Sequence, residues 1–573
     1  MPTIESLLEA GIISHLDYYF TRTLCNAVRE SDPVILVSAA LTSRAALQGH
    51  VCLDIEQVAG TVLSGDGETD AVKGRVLPNL SDWLSALEKS VLVGLSTRCP
   101  LVLDGENRLY LARYFDFQER VIRSVAARVL SPGPDVDEPA LSSGLDRLFQ
   151  GTGPGNSGTA FQRLAAEAAV RNRFTVITGG PGTGKTFLVE RILRLFHDQA
   201  EALSLAPPRI IAAAPTGKAA SRLAGGSTIH RVLGAGMEGG RFRHTRDNPL
   251  VCDIMIVDES SMIDVALMAR LMDAVPKEAR LILLGDRNQL ASVETGAVFG
   301  DICRAESLKH HVVSLEHNFR SGDYPGIDRL ARAVNAGDGE AVSGLLRGGE
   351  YPELVFLDMG QSRPQDMETD MASLIREGFR PLMEAGQPGE ALDCINRFRI
   401  LCAHNRGHFG AGALNRIAEK VLRLQDGFDI KDGFIKRAIM IESNDYTRNL
   451  FNGETGLVIR QADRGVGAVF NGYDGRVRQF RISDLPAHGT AFAITVHKSQ
   501  GSEFDTVLLV LPDTLSPVVT RELLYTGVTR AKQRVILAGN LDVIKAAAGL
   551  PVQRRSGITR GIDLAMEANA KID

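Results

Sequence analysis

The run Gly179-Gly-Pro-Gly-Thr-Gly-Lys-Thr186 matches the G-x-x-x-x-G-K-[ST] pattern of a phosphate-binding loop. Gly179, Gly180, Gly182 and Gly184, with Pro181 and Thr183 among them, let successive backbone N–H groups converge on polyphosphate oxygens. The helix expected next adds the positive end of its dipole. Lys185 would reach the β- and γ-phosphates of ATP, and the Thr186 hydroxyl would ligate Mg²⁺. The loop follows an apolar run and precedes a helical pattern, a context that a plain glycine-rich turn does not need.

A second run, Ile254-Met-Ile-Val-Asp-Glu-Ser-Ser261, is an apolar strand ending in two acids. Asp258 would hold Mg²⁺ and Glu259 would polarise the attacking water. A third, Leu281-Ile-Leu-Leu-Gly-Asp-Arg-Asn-Gln289, delivers a polar cluster to the same sheet edge, where ligands of open α/β sheets bind. Gln289 would hydrogen-bond the γ-phosphate or the water and so report nucleotide state. Hydrolysis spreads negative charge over the γ-phosphoryl oxygens, and arginines from a facing domain stabilise it by ~10³–10⁵ in rate. Two candidates are Arg320, in Leu315-Glu-His-Asn-Phe-Arg320, and Arg530, expected on a helix within Glu522–Arg530.

These residues need a scaffold. A chain of 573 residues is too long for one core. Apolar runs at Phe174–Thr178, Ile210–Ala214, Ile254–Val257 and Leu281–Leu284 alternate with helical stretches, as in a parallel α/β sheet. A second set follows at Ile400–Ala403, Ala493–Val496, Val507–Leu511 and Val535–Ala538. Between them, short alternating strands punctuated by Gly453, Gly456, Gly465, Gly467, Gly472 and Gly475 read as a small β-barrel. Gly/Pro-rich stretches at 131–139 and 151–158 set off an N-terminal module, expected to be mainly helical and to end in the amphipathic run Glu119–Leu130.

The expected fold class is therefore α/β, with two RecA-like P-loop domains, a barrel insert and a helical N-terminal domain. The expected boundaries are 1–130 for the N-terminal domain and 135–320 for the first RecA-like domain, with a small insert at about 225–250. The second RecA-like domain takes 321–435 plus 491–573, and the barrel takes 436–490.

Composition excludes little. The net charge of −5 does not argue against a nucleic-acid motor, which needs a basic groove rather than a basic whole. Cys25, Cys52, Cys99, Cys252, Cys303, Cys394 and Cys402 lack the close pairing of a zinc site, so they read as reduced, mostly buried thiols. Acidic residues stand where a signal peptide needs basic ones, and no apolar run reaches the ~18 residues of a membrane span, so a cytoplasmic location and no membrane partner are expected. Arg241-Phe-Arg-His-Thr-Arg246 packs cations around one aromatic, which suits either phosphate pairing with base stacking or a solvated hairpin tip.

Taken together, the chain resembles superfamily 1 helicases and, within them, the RecD family of the RecBCD exonuclease V complex. Besides the runs above, the resemblance rests on Gln162, Ala214-Pro-Thr-Gly-Lys-Ala-Ala220, Thr228-Ile-His-Arg231 and Phe451-Asn-Gly-Glu-Thr-Gly456. It extends to Thr495-Val-His-Lys-Ser-Gln-Gly-Ser-Glu503, Pro517–Ala531 and Gly49-His-Val-Cys-Leu53. It implies that Gln162 reads the adenine edge and that Gln500 and Glu503 couple nucleotide to DNA at the domain interface. It further implies that Pro215, Thr216, His230, Thr495, His497 and Lys498 line a single-strand track.

The same resemblance implies 5′→3′ translocation, an SH3-like insert, and RecB-like and RecC-like partners in a heterotrimer acting on single-stranded and duplex DNA ends. It places that work in double-strand break repair and recombination, in a nucleoid-associated cytoplasmic setting. No helix-hairpin-helix elements are evident in the first 130 residues, which favours the complex-bound form, docked on RecC, over the RecD-like helicases that act alone. No segment beyond Lys532 resembles a nuclease domain, so any cutting chemistry would belong to a partner. An RNA helicase of the same superfamily and a P-loop switch or scaffold are the competing readings. Gln289, Arg320 and Arg530 in one chain argue against a simple switch.

Overall fold

A computed structural model describes residues 1–63, 75–150, 157–236, 242–319, 322–360, 366–425, 436–445, 447–461, 465–472 and 476–570. Arg320, Arg241 and Gly475 lie outside the described residues.

Among the described residues the phosphate-loop sheet has six parallel strands. Their order is Val312–Leu315, Phe174–Gly179, Arg280–Gly285, Ile254–Val257, Ile210–Ala214, Ser227–Thr228. The central strands are buried on both faces, which is why they read in sequence as unbroken apolar runs. The second sheet has five parallel strands in the order Leu354–Asp358, Ala531–Gly539, Phe504–Val510, Phe398–Cys402, Ala493–Thr495. In parallel sheets the connections return over the faces, so the loops after every strand gather at one edge.

Residues 437–490 form a separate antiparallel sheet in the order Val477–Arg481, Gly465–Asn471, Thr455–Gln461, Arg437–Ile441, His488–Thr490. Among the described residues this hydrogen-bonded order is linear, with two edges.

Among its described residues the N-terminal module combines helices with a small four-stranded sheet. Ser14 starts the helix His15–Val28 with a reciprocal cap to Asp17, and Asp32 caps the helix Pro33–Leu47 just before a proline at its first position. At its core Trp83 is fully buried, and its indole N–H donates to Ser38 Oγ at 2.7 Å. The helix Ala112–Val129 then leaves this module and packs on the first sheet's helix Val265–Ala274. It starts a full turn or more before the expected Glu119.

Two sequence expectations need correction. The helix Arg521–Val528 ends before Arg530, which lies in the turn into the strand Ala531–Gly539. The C-terminal helix Ile558–Ala570 leaves the second α/β body. Ile558 and Ile562 are fully buried in the first lobe's core beside Val121, Ile122 and Phe299, because that helix's apolar face meets Ala112–Val129 and Val298–Arg304. Among the described residues no helix is long and apolar enough to cross a membrane.

Candidate active site

The phosphate loop joins the strand Phe174–Gly179 to the helix Lys185–Ala202. Gly182 and Gly184 sit at φ +82° and +80°, a left-handed conformation that side chains disfavour. Gly184 also has no room: an added Cβ would lie 2.5 Å from Gln162 Nε2. The buried Gln162 amide donates to the Thr183 carbonyl at 3.0 Å and so fixes the loop from behind. Thr183 Oγ1 donates to the Gly180 carbonyl at 2.8 Å. Lys185 Nζ is folded over the loop and donates to the carbonyls of Gly179 (2.6 Å) and Gly180 (3.1 Å). Thr186 is exposed at the loop's rim.

Two acids follow the strand Ile254–Val257. Burial first, and the neighbouring Glu259 charge second, push the Asp258 carboxyl up to about 6, with Lys185 pulling the other way. Asp258 Oδ1 accepts the Glu259 N–H at 2.8 Å. Glu259 takes φ +52°, unusual for a side chain with a Cβ, so its carboxylate is aimed at a cost in backbone energy.

The third run supplies Gln289 and a residue that sequence reasoning passed over, Asp286. Asp286 is fully enclosed, and burial raises its carboxyl above the usual range against Lys185 and its hydrogen-bond donors. Those donors are the Asn288 N–H (3.0 Å), Gln289 Nε2 (3.1 Å) and the Tyr525 hydroxyl (3.0 Å). Gln289 Oε1 is buried with no hydrogen-bond partner among the described residues, an acceptor held ready for an external donor.

Tyr525 comes from the second lobe. Its hydroxyl lies 2.8 Å from where a Gly180 Cβ would stand, so the second lobe touches the phosphate loop itself. Two more hydrogen bonds close the junction: Leu290 N–H donates to Thr526 Oγ1 (2.9 Å), and Gln500 Nε2 donates to the Leu290 carbonyl (2.8 Å). Arg530 is buried, donates to the carbonyls of Thr526 (3.2 Å) and Ser502 (3.1 Å), and its charge reaches Tyr525. A cleft of about 340 Å³ opens between the lobes, lined by Gly179–Pro181, Asp286–Asn288, Arg332, Tyr525 and Thr529. Beside the loop, Phe319 donates its N–H to the Gly182 carbonyl (3.0 Å) and exposes its ring.

The expected strand-track residues sit after strand ends of both sheets. Thr216 caps a short helix by accepting the Ala219 N–H (3.2 Å), and Pro215 beside it is half-buried. Gly501 of the second lobe faces Thr216 Oγ1, which an added Cβ would meet at 3.6 Å. Lys218, on that short helix, has Nζ 5.9 Å from the Phe504 ring centroid, and burial, with Arg399 and Arg222 adding to it, pushes its ammonium down to about 7. Glu503 opposes that shift.

Thr495 is buried and accepts the Lys498 N–H at 3.3 Å; Lys498 Nζ pairs with Glu442 at 2.9 Å. His497 is half-buried, and burial lowers its imidazole, with Arg554 adding to the effect. His230 lies against Phe242, with ring centroids 5.8 Å apart. Phe242 is also covered by Arg270 and partly buried on the core, so its ring is held by protein rather than offered to a base.

Residues 9–110 match the family described as RecBCD enzyme subunit RecD, N-terminal domain. Residues 162–295 match an AAA domain and 490–538 a UvrD-like helicase C-terminal domain. The chain is 37% identical to the RecBCD enzyme subunit RecD of Mycobacterium tuberculosis over 97% of its own length and 96% of that protein's. It is 36% identical to that of Mycolicibacterium smegmatis, over 97% and 99%. The ATP-dependent RecD2 DNA helicase of Deinococcus radiodurans is 29% identical over 79% of this chain and 58% of that one.

Proposed function

The chain belongs to the RecD family of RecBCD enzyme subunits, and on that premise we propose that it is the ATP-dependent DNA helicase subunit of such a complex. The observation that carries the reading is the closure of the second lobe on the phosphate loop, through Tyr525 on Asp286 and the Thr526 and Gln500 bonds to Leu290. An ATPase whose two lobes meet at the phosphates converts nucleotide state into lobe separation.

The residues fit ATP. Backbone N–H groups of the Gly179–Gly184 loop would cradle the phosphates, Gln162 and the exposed Phe319 ring beside the loop are the candidates to meet the base, and Lys185 would leave its two carbonyls for phosphate oxygens. They also fit Mg²⁺, which would be held by Thr186 and Asp258 and would neutralise the phosphate oxygens. A desolvated carboxylate pushed up to about 6 gains most from a cation. No group of three or more His, Cys, Asp or Glu forms a metal cluster among the described residues, so the other ligands would be phosphate and water.

Glu259 takes a proton from the attacking water, Gln289 Oε1 accepts that water's other hydrogen, and Arg530 with Arg320 meets the charge that develops on the γ-phosphoryl group. Gln500 and Glu503 sit at the junction that carries this change to the strand. Pro215, Thr216, His230, Thr495, His497 and Lys498 contact single-stranded DNA, which the motor pulls 5′→3′ into a RecBCD-type machine for double-strand break repair. Residues 1–130 dock on a RecC-like subunit, with Leu16 and Tyr19 exposed on one helix as candidate contacts. The 437–490 sheet is the SH3-like insert, residues 135–320 and the second sheet with its helices are the RecA-like domains, and the nuclease site lies in a RecB-like partner.

Unwinding of 5′- and 3′-tailed duplexes, with and without RecB and RecC partners, tests this reading. Unwinding from the 5′ tail that disappears in Lys185→Gln is expected. Unwinding that survives Lys185→Gln rejects the site, and a 3′-tail preference rejects the polarity. Stronger ATPase stimulation by RNA than by DNA of the same sequence would favour an RNA helicase.

A further inference from the structure

The loop that carries Gln289 continues to Gly296, and every stretch of it is gripped from outside the first sheet. The second lobe holds its start, at Asp286 and Leu290. The N-terminal module holds its end: Thr295 Oγ1 donates to the Ala46 carbonyl (3.1 Å), and Gly296 N–H donates to the Gly49 carbonyl (2.9 Å). Its middle is held by one side chain from the far end of the chain. Arg554 donates to the carbonyls of Ser292 (3.0 Å), Glu294 (2.7 Å) and Gly49 (3.1 Å).

Gly49 is shaped for this contact. Its φ is +87°, and an added Cβ would stand 1.9 Å from Arg554 Nη1. The joint is sealed on either side: Arg555 N–H donates to His50 Nδ1 (3.1 Å), and Val51 N–H donates to the Arg555 carbonyl (2.8 Å). Upstream, Val552 N–H donates to Glu522 (2.8 Å) on the helix that carries Tyr525 and Thr526. Downstream, Asp563 of the C-terminal helix accepts from Ser307 (2.6 Å) in the first lobe. The segment Leu550–Gly557 therefore crosses from the second lobe to the first, and knots three bodies together at Arg554.

We propose that Arg554 is a positioning residue for ATP hydrolysis: it pins the Gln289 loop to Gly49 of the N-terminal module, so that the module's placement sets the aim of Gln289. The proposal rests on the assignment of Gln289 to the γ-phosphate end of the site. A guanidinium bonded to three carbonyls fixes backbone, and a loop released from it lets Gln289 drift, where a shift of about 1 Å can cost up to ~10²-fold in rate. Because the hydrogen bonds of Arg554 go to Ser292, Glu294 and Gly49 and not to the phosphate loop, its loss should leave ATP affinity alone.

The test is steady-state, DNA-stimulated ATPase of the full chain, with the turnover of Lys185→Gln subtracted as background. Arg554→Ala and Gly49→Ala lie about 500 residues apart in sequence on the two sides of one contact. Each is expected to lower kcat about tenfold or more with KM for ATP within about twofold, and Arg554→Lys to recover part of the loss. Added to Gln289→Ala, Arg554→Ala should cost nothing further, because both act through one group.

Cooperative thermal unfolding checks that each variant folds, and if Arg554→Ala does not, Gly49→Ala and Arg554→Lys carry the comparison. Wild-type kcat in folded Arg554 and Gly49 variants beside a slow Gln289→Ala overturns the knot alone, as do losses that multiply in the double variant. A Gln289→Ala chain that turns over normally overturns the site assignment, and the knot with it.

Discussion

At the phosphate end of the cleft, charged groups are buried or strained before any ligand arrives; at the residues proposed for the strand track, polar groups are satisfied within a few residues or paired at the surface. Asp258 is pushed up to about 6, Gln289 Oε1 is orphaned, and Glu259 is twisted to φ +52°. By contrast Thr216 caps its own helix, Thr495 turns its own loop, and Lys498 rests on exposed Glu442. The difference follows from the two tasks. Chemistry needs charges desolvated and aimed before substrate arrives, whereas a motor's grip must form and break at every step, so its contacts stay individually weak.

Substitutions can break or sharpen that contrast. Lys185→Gln strikes the phosphate face hardest, with a kcat loss of about 10³-fold or more in a DNA-stimulated ATPase assay. Arg530→Ala should cost about 10²-fold in kcat with KM for ATP nearly unchanged, since the charge it meets develops in the transition state; equal losses in both would make it a ground-state ligand.

Asp258→Asn should abolish turnover yet stabilise the metal-free chain at pH 7–8. The sign follows from a raised carboxyl: the wild type carries no penalty below its unfolded value near 3.8 and bears it in full above about 6. Thermal melts of the two proteins should therefore converge as pH falls toward 4. Tyr525→Phe removes one hydroxyl from Asp286 and should lower kcat about five- to tenfold while the ring keeps the lobes packed. Lys498→Ala, on the wet face, should weaken single-strand binding only about two- to fivefold, lower its salt slope by about one, and spare DNA-free ATPase. A tenfold loss of DNA-free ATPase there would erase the distinction between the faces.

Sequence located the runs whose backbone is written in local spacing. The phosphate loop and the Asp258-Glu259 pair were legible because their backbones are dictated by neighbouring glycines and a buried strand. Central strands were legible for the same reason, to within a few residues. Edge strands Val312–Leu315 and Leu354–Asp358 went unread, because they are only partly buried and their patterns are weaker.

Tyr525 and Asp286 both sat inside quoted runs, yet their bond spans 239 positions and leaves no periodic trace. Arg554 was invisible for a different reason: its partners are three backbone carbonyls, and carbonyls carry no side-chain signature. The helix Ile558–Ala570 was assigned to the second lobe by continuity, although its buried face fits the first.

The single tryptophan gives the molecule a built-in optical probe. Trp83 is sealed in the core of the N-terminal module, its indole bonded to Ser38, so fluorescence excited at the red edge of absorption, where tyrosines do not absorb, reports on that module. Heating or denaturant titration can then be followed on two channels at once, fluorescence for the module and far-ultraviolet ellipticity for the whole chain. A gap between the two midpoints would measure how independently the module melts.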